Sequence, residues 1–405
     1  MSEQPDTPVT ERTRIAIFSR YNLAEQYDLA TEFREVVRRL AARAEVFHLS
    51  LRGPRSPDEV PEHVTVSELP ISVNRKSPRD IMVKTFLTYL TLPLAARRLR
   101  RFRADLIFLT ECFPLWAWLL KVLCRTRVAS GYGDWHIHNI FGRYWWSRPM
   151  LRLVEAVDRF EARRLKGFLC RAESAGARLQ SWGVEPDRIR VVRDAPDPTA
   201  FFPRDESALR AQCGFAPDDV VLLYHGVMHQ GKGLDKLIHW VNELYGEFPQ
   251  LGLLLVGGGR EEAALRELAA TLAMKEHIVF TGWLETIKEV GAYCNAADIC
   301  IAMRTGAEAN DKVVPGALLH AMACKKIVIG PRLRGIGEII DEGRNGYMFE
   351  TDNAEDFKRL IRKLVAERAD WPRIQEQAHK DIQDHHSVEA VARQYAEMLE
   401  HFAGL

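Results

Sequence analysis

Along the chain, short runs of apolar residues alternate with longer stretches in which apolar positions recur every three or four residues. The short runs of the first half are RIAIFS from 14, AEVFHL from 44, VTVSEL from 64, DLIFLT from 105, RVASGY from 127 and GFLCRA from 167; their length and β-branched content predict strands. Between them the pattern predicts helices over 23–42, where Leu29, Phe33, Val36, Val37 and Leu40 share one face, and over 81–102, 116–124 and 150–166. Strand followed by helix, repeated, predicts a parallel sheet covered on both faces.

The scheme begins again after Asp219 with VVLLYHG, LGLLLVGGG, HIVFTG, ADICIAM and KIVIGP, and helices near 232–246, 260–273, 285–296, 313–324 and 353–368. Residues 190–210, rich in Pro and Asp, read as a linker. The expected organisation is therefore α/β, with two doubly wound, Rossmann-like parallel-sheet domains (1–205 and 206–375) facing across a cleft. A last helical pattern over 371–402 places 376–405 back against the first domain. Ligands of such sheets bind beyond the carboxyl ends of the strands, so the cleft is the expected site.

Composition agrees: 405 residues, 47% hydrophobic and 27% charged, supply material for two cores. Lys and Arg number 56 against 55 Asp and Glu, a balance that argues against a nucleic-acid binder. The balance is local, however: 75–103 holds nine basic residues against Asp80 alone, either a solvated helix face or a patch for anionic lipid or an anionic acceptor. Seven cysteines without CxxC spacing read as free thiols of a reducing cytoplasm, and the polar N-terminus shows no secretory signal. The apolar patch FPLWAWLL at 113–120 is too short to span a bilayer, while Trp145 and Trp146 among arginines keep peripheral contact at the inner face of the membrane open.

Candidate chemistry centres on YHGVMHQGKGLDKLI at 224–238, where a strand runs through Gly226 and Gly231 to Lys232 and into a helix. Turn amides, a helix start and an ammonium there suit a phosphate; a tight turn with a solvated lysine is the plainer alternative. The first strand ends in SRYNLAE without glycines, which disfavours a dinucleotide-dependent dehydrogenase. SGYGDWHIHN at 130–139 offers Asp134, His136 and His138 after a strand, too few ligands for a metal.

Several segments, in order, resemble glycosyltransferase family 4, retaining nucleotide-sugar enzymes of the GT-B fold. They are AESAGARLQSWGVEPDRIR and VVRDAPDPTAFFP before the second domain, then HGVMHQGKGLDKLI, LLLVGGGREEAAL, VFTGW, LLHAMACKKIVIG and GIGEIIDEGRNGYMF. The resemblance implies an acceptor-binding first domain, a donor-binding second domain and transfer of a hexose-type unit without a metal or other cofactor. No Asp-x-Asp motif occurs. The implied donor is a UDP- or GDP-linked sugar. It also implies that Gly226, Gly231, Lys232 and the amides of Gly316, Ala317 and Leu318 hold the diphosphate, with Trp283 beside the base or in the core. His136 then positions the sugar or eases proton loss from the acceptor, with Asp134 and His138 weaker candidates.

Two departures from the family bear on this. Where the family carries an arginine after the strand preceding its phosphate lysine, Val227 and Met228 stand, and its two glutamates seven residues apart are replaced by Lys312 and His320. Glu308 and Asp311 are nearby substitutes for the first glutamate, and His320 is a donor in the second's place. The leading expectation is a cytoplasmic glycosyltransferase whose acceptor is a glycan, a lipid-linked sugar or a small molecule. Beside it stand a noncatalytic GT-B partner of an active transferase, and a transferase with a sulfur, nitrogen or phosphate acceptor.

Overall fold

The computed structural model describes residues 12–19, 23, 28–52, 60–71, 87–110, 115–132 and 148–404. Seven strands form the first sheet: β1 Arg14–Ser19, β2 Glu45–Leu51, β3 Val64–Leu69, β4 Leu106–Leu109, β5 Arg127–Tyr132, β6 Gly167–Cys170 and β7 Ile189–Val191. They lie in the order β3-β2-β1-β4-β5-β6-β7, all parallel. The second sheet, also parallel, has the order β10-β9-β8-β11-β12-β13. Its strands are β8 Val220–His225, β9 Leu251–Val256, β10 Ile278–Gly282, β11 Ile299–Ile301, β12 Ile327–Pro331 and β13 Tyr347–Phe349. Two strands exceed the expectation: β7 lies at the start of the stretch read as a linker, and β13 within a loop. Both are three-residue edge strands, too short to show a period of two.

Both faces of each sheet are buried, which is why the central strands read as unbroken apolar runs. In the second sheet Leu222, Leu253 and Ile299 pack under helices Leu234–Tyr245 and Ala354–Ala366, while Val221, Leu254 and Val328 pack under Gly316–Ala323. The pattern over 371–402 is not one helix. It breaks into Trp371–His385 and Val388–Ala403, because the Ser387 hydroxyl accepts from Ala390 N at 3.2 Å and caps the second piece. Ile374 and Ile382 of the first piece belong to the second sheet's core; Val391, Tyr395, Leu399 and Phe402 of the second join Ile15, Ile17 and Phe108 under the first sheet. The chain thus passes between the sheets twice, after β7 and at His386–Ser387, and the crossings touch, His386 lying against Arg193 and Asp194.

One carboxylate ties the two sheets directly. Helix Glu173–Ser181 has no side-chain cap of its own, and Glu338, from beyond β12, accepts from its first amides, Glu173 N at 2.9 Å and Ser174 N at 3.2 Å. Arg193 Nη2 donates to the same Glu338 carboxylate at 3.1 Å, and Ser174 Oγ donates to the Lys312 carbonyl at 3.0 Å.

Candidate active site

The turns that follow β8 and β9 lie backbone against backbone. Met228 N donates to Gly258 O at 2.8 Å, and a Cβ on Gly259 would stand 2.2 Å from Met228 O, so only glycine fits there. Beyond Met228, the His229 Nδ1 accepts from Gly231 N at 3.2 Å and starts the single 3-10 turn Gln230–Lys232; Lys232 N and Gly233 N turn back to His229 O and Gln230 O. Gly233, at φ 63°, then opens helix Leu234–Tyr245. The amides around Gly231, expected to face a phosphate, are therefore bonded within the turn, because a 3-10 turn closes on its own carbonyls.

The turn is latched from outside by the loop after β11. Gly231 O accepts from Thr305 N at 3.1 Å, Thr305 Oγ1 at 3.2 Å and Asn310 Nδ2 at 2.9 Å, and Asn310 Oδ1 accepts from Arg304 Nη1 at 3.4 Å. Asn310 is buried. His229 is held neutral: burial, then Lys232, Arg260 and Arg304, lower its pKa to about 4. His225, at the end of β8, is pushed to about 3 by burial first and then by His320, with Lys232 adding to the push and a backbone bond to Ala317 opposing it. Its ring thus lies against helix Gly316–Ala323, through His320, and near enough to Lys232 to feel its charge.

That helix begins after Pro315. Leu318 is buried and its N–H bonds to Pro315 O at 3.1 Å, so of the three amides expected to serve, Gly316 and Ala317 remain for a ligand. His320 stacks between Phe201 of the linker, 3.9 Å and 7° from parallel, and His225, at 5.3 Å and 13°. Lys312 engages the first domain through its carbonyl. Asp311 is paired with Arg334, Nε to Oδ2 2.6 Å, so it does not stand open as a replacement carboxylate. Trp283 is not a core residue: 65% exposed, its indole lies over Gly258, where a Cβ would meet Cδ1 at 2.7 Å. The Glu308 side chain, Asp134, His136 and His138 lie outside the described residues.

The first domain matches the model of Glycosyltransferase Family 4 over residues 30–199, and the second that of Glycosyl transferases group 1 over 219–367. The chain belongs to the family 4-like glycosyltransferases of the GT-B fold. Among curated relatives of this family member, D-inositol 3-phosphate glycosyltransferase of Rhodococcus jostii (strain RHA1) is 28% identical over 202 residues, 48% of this chain and 43% of the relative. The match thus spans less than half the length of that relative. Among solved structures, sucrose-phosphate synthase from Thermosynechococcus elongatus superimposes with TM-score 0.75 at 18% identity, covering 96% of this chain and 99% of that one. Anabaena HepE in complex with UDP does so with 0.71 at 15%, covering 96% and 100%. At these identities the likeness is one of fold.

For this family member, His225, His229, Phe201, Arg304 and Asn310 gather around the candidate site without having been singled out in the sequence. The two histidines both precede the lysine turn within the quoted motif, a visible signal. Arg304 and Asn310 come from a loop some seventy residues later, which only the parallel order β8-β11 brings alongside. Among the described residues no helix is long and apolar enough to cross a membrane. Of the basic stretch, Arg97, Arg100, Arg101 and Arg103 are exposed, while Arg98 donates to Ser67 Oγ at 2.9 Å.

Proposed function

We propose that the protein transfers a glycosyl unit from a nucleotide sugar to an acceptor with retention of anomeric configuration, the second domain holding the donor. The observation that carries this is that His225, at the end of the strand leading to the lysine turn and close enough to feel the Lys232 charge, packs against His320 of the helix that opens at Gly316 and Ala317, its ring 5.3 Å away. A nucleoside diphosphate gains negative charge as the sugar departs. An ammonium and helix-start amides already in place stabilise that charge without reorganisation. The exposed Trp283 indole, over the turn after β9, gives a nucleobase a face to stack on.

UDP in the HepE structure supports a uridine donor; a guanosine donor is the alternative to test. We read His320, which stands where the family holds the donor ribose through a carboxylate, as taking over that contact; its ring edge, Cε1 and Nε2, lies 3.8 Å from a Cβ built on Gly316 at the helix start. The acceptor, a glycan, a lipid-linked sugar or a small molecule, belongs to the first domain, whose segment with Asp134 and His136 is the proposed place of acceptor activation. The exposed arginines of helix Leu92–Phe102 suit contact with an anionic membrane surface. With cations supplied by side chains, transfer proceeds without a divalent metal, and activity should persist in EDTA.

Calorimetry with UDP, GDP and ADP, joined to a mass-spectrometric screen of nucleotide sugars, tests the reading. Lys232→Ala should weaken binding of the preferred diphosphate by about 1–3 kcal/mol. Absence of binding to all three, or an unchanged Lys232→Ala, would sink it. Binding without hydrolysis or transfer would favour a noncatalytic partner, the reading that Lys312 and His320 in place of two carboxylates support.

A further inference from the structure

We infer that Arg304, from the loop after β11, is the second cation of the diphosphate site, paired with Lys232 across the Gly231 carbonyl. The inference rests on the nucleotide-sugar reading above and adds a residue to it. Besides Lys232 the turn after β8 supplies no cation: Val227, 48% exposed, and Met228, buried, stand where the family carries an arginine. Its 3-10 turn has closed its amides on itself, as Gly231, Lys232 and Gly233 each donate within it. An anion seated at Lys232 therefore has to find further positive charge on another strand's loop.

The loop after β11 is built onto that turn. Thr305, the residue after Arg304, gives both its N–H and its hydroxyl to Gly231 O, and Lys232 follows Gly231 directly. Asn310 joins the two from a buried position, its Nδ2 donating to Gly231 O at 2.9 Å and its Oδ1 accepting from Arg304 Nη1 at 3.4 Å. One amide thus fixes the guanidinium relative to the lysine turn. Electrostatics report the same proximity, since His229 feels Lys232, Arg260 and Arg304 together and stays neutral. Gathering like charges around a ring that cannot neutralise them is unfavourable, and a diphosphate relieves it. The guanidinium fork suits two oxygens of one phosphate, whereas an ammonium is a point charge, so the pair divides the diphosphate between two kinds of donor.

The test compares uridine, UMP and UDP, and the guanosine series, binding to wild type, Arg304→Ala, Arg304→Lys and Arg304→Ala with Val227→Arg, with melting temperatures recorded for each. The quantity read is the gain in affinity from nucleoside monophosphate to diphosphate. Arg304→Ala should shrink that gain about 10- to 100-fold. Arg304→Lys should shrink it less, and Val227→Arg should restore part of it by returning a cation to the turn after β8. A gain unchanged in Arg304→Ala overturns the inference and leaves the donor reading standing. Equal weakening of nucleoside, monophosphate and diphosphate in both Arg304 variants also overturns it, because a displaced loop rather than a missing charge would then be the cause. A wild type that binds no nucleoside diphosphate removes the donor reading and this inference with it.

Discussion

Phe201 lies face to face on His320, with ring centroids 3.9 Å apart and planes 7° from parallel. The contact joins the linker to the helix that starts at the proposed diphosphate, and His225 continues the stack at 5.3 Å. His320 is thus a packed ring as well as the occupant of a position where the family carries a carboxylate. His320→Glu should cost about 1 kcal/mol or more by removing the stack and placing a charge between Phe201 and the neutral His225. It should not raise turnover. Thermal melts and a transfer assay check both, and a gain in activity would show that the family carboxylate is interchangeable with the stack.

Asn310→Ala removes the amide that bonds both Gly231 O and Arg304. Because Asn310 is buried, the loss should be about 1–3 kcal/mol in stability, with weaker nucleoside diphosphate binding from a loosened turn. Denaturant unfolding and calorimetry measure the two effects. A loss of stability with diphosphate affinity intact would separate the latch from the site.

The His229 cap gives a pH dependence whose sign is fixed. Its folded pKa, about 4, lies below the ordinary 6.5, so its contribution is fully present above 6.5 and is lost as pH falls from 6.5 toward 4. A protonated Nδ1 also cannot accept from Gly231 N. His229→Asn keeps an acceptor at the cap without a titrating group. The difference in melting temperature between wild type and His229→Asn should therefore move in the variant's favour as pH drops from 7 to 4, and a difference independent of pH would refute the assignment.

Glu338→Gln tests the tie between the sheets. The substitution leaves one acceptor for two amides and takes the charge from Arg193, at an expected cost of about 0.5–2 kcal/mol. Scanning calorimetry should show the transitions of the two domains drawing apart. A single transition of unchanged width would mean that other contacts carry the coupling.

The architecture was legible because central parallel strands, buried on both faces, are apolar along their length, and eleven of the thirteen described strands fell within short apolar or alternating runs. The edge strands β7 and β13 did not, since each is three residues set among polar neighbours, whereas the equally short β11 lies inside the apolar run ADICIAM. The break at Ser387 was hidden because the apolar spacing runs on through it, although each piece faces a different core. At the site, Lys232 and its glycines were readable from local order. Which amides were already spent was not: a 3-10 turn and an open phosphate-binding loop share the same glycines. The proposed second cation was invisible for a topological reason, since the loop that carries Arg304 reaches the lysine turn only once β11 is laid beside β8.

The paired crossings have a mechanical consequence. Two threads of chain, one near Arg193 and one at His386, run side by side past the Glu338 clasp. Twisting one lobe against the other would shear these threads apart, whereas swinging about the seam they define only bends them. The lobes are therefore strapped like the covers of a book, with swinging about that spine the soft motion and twisting across it the stiff one.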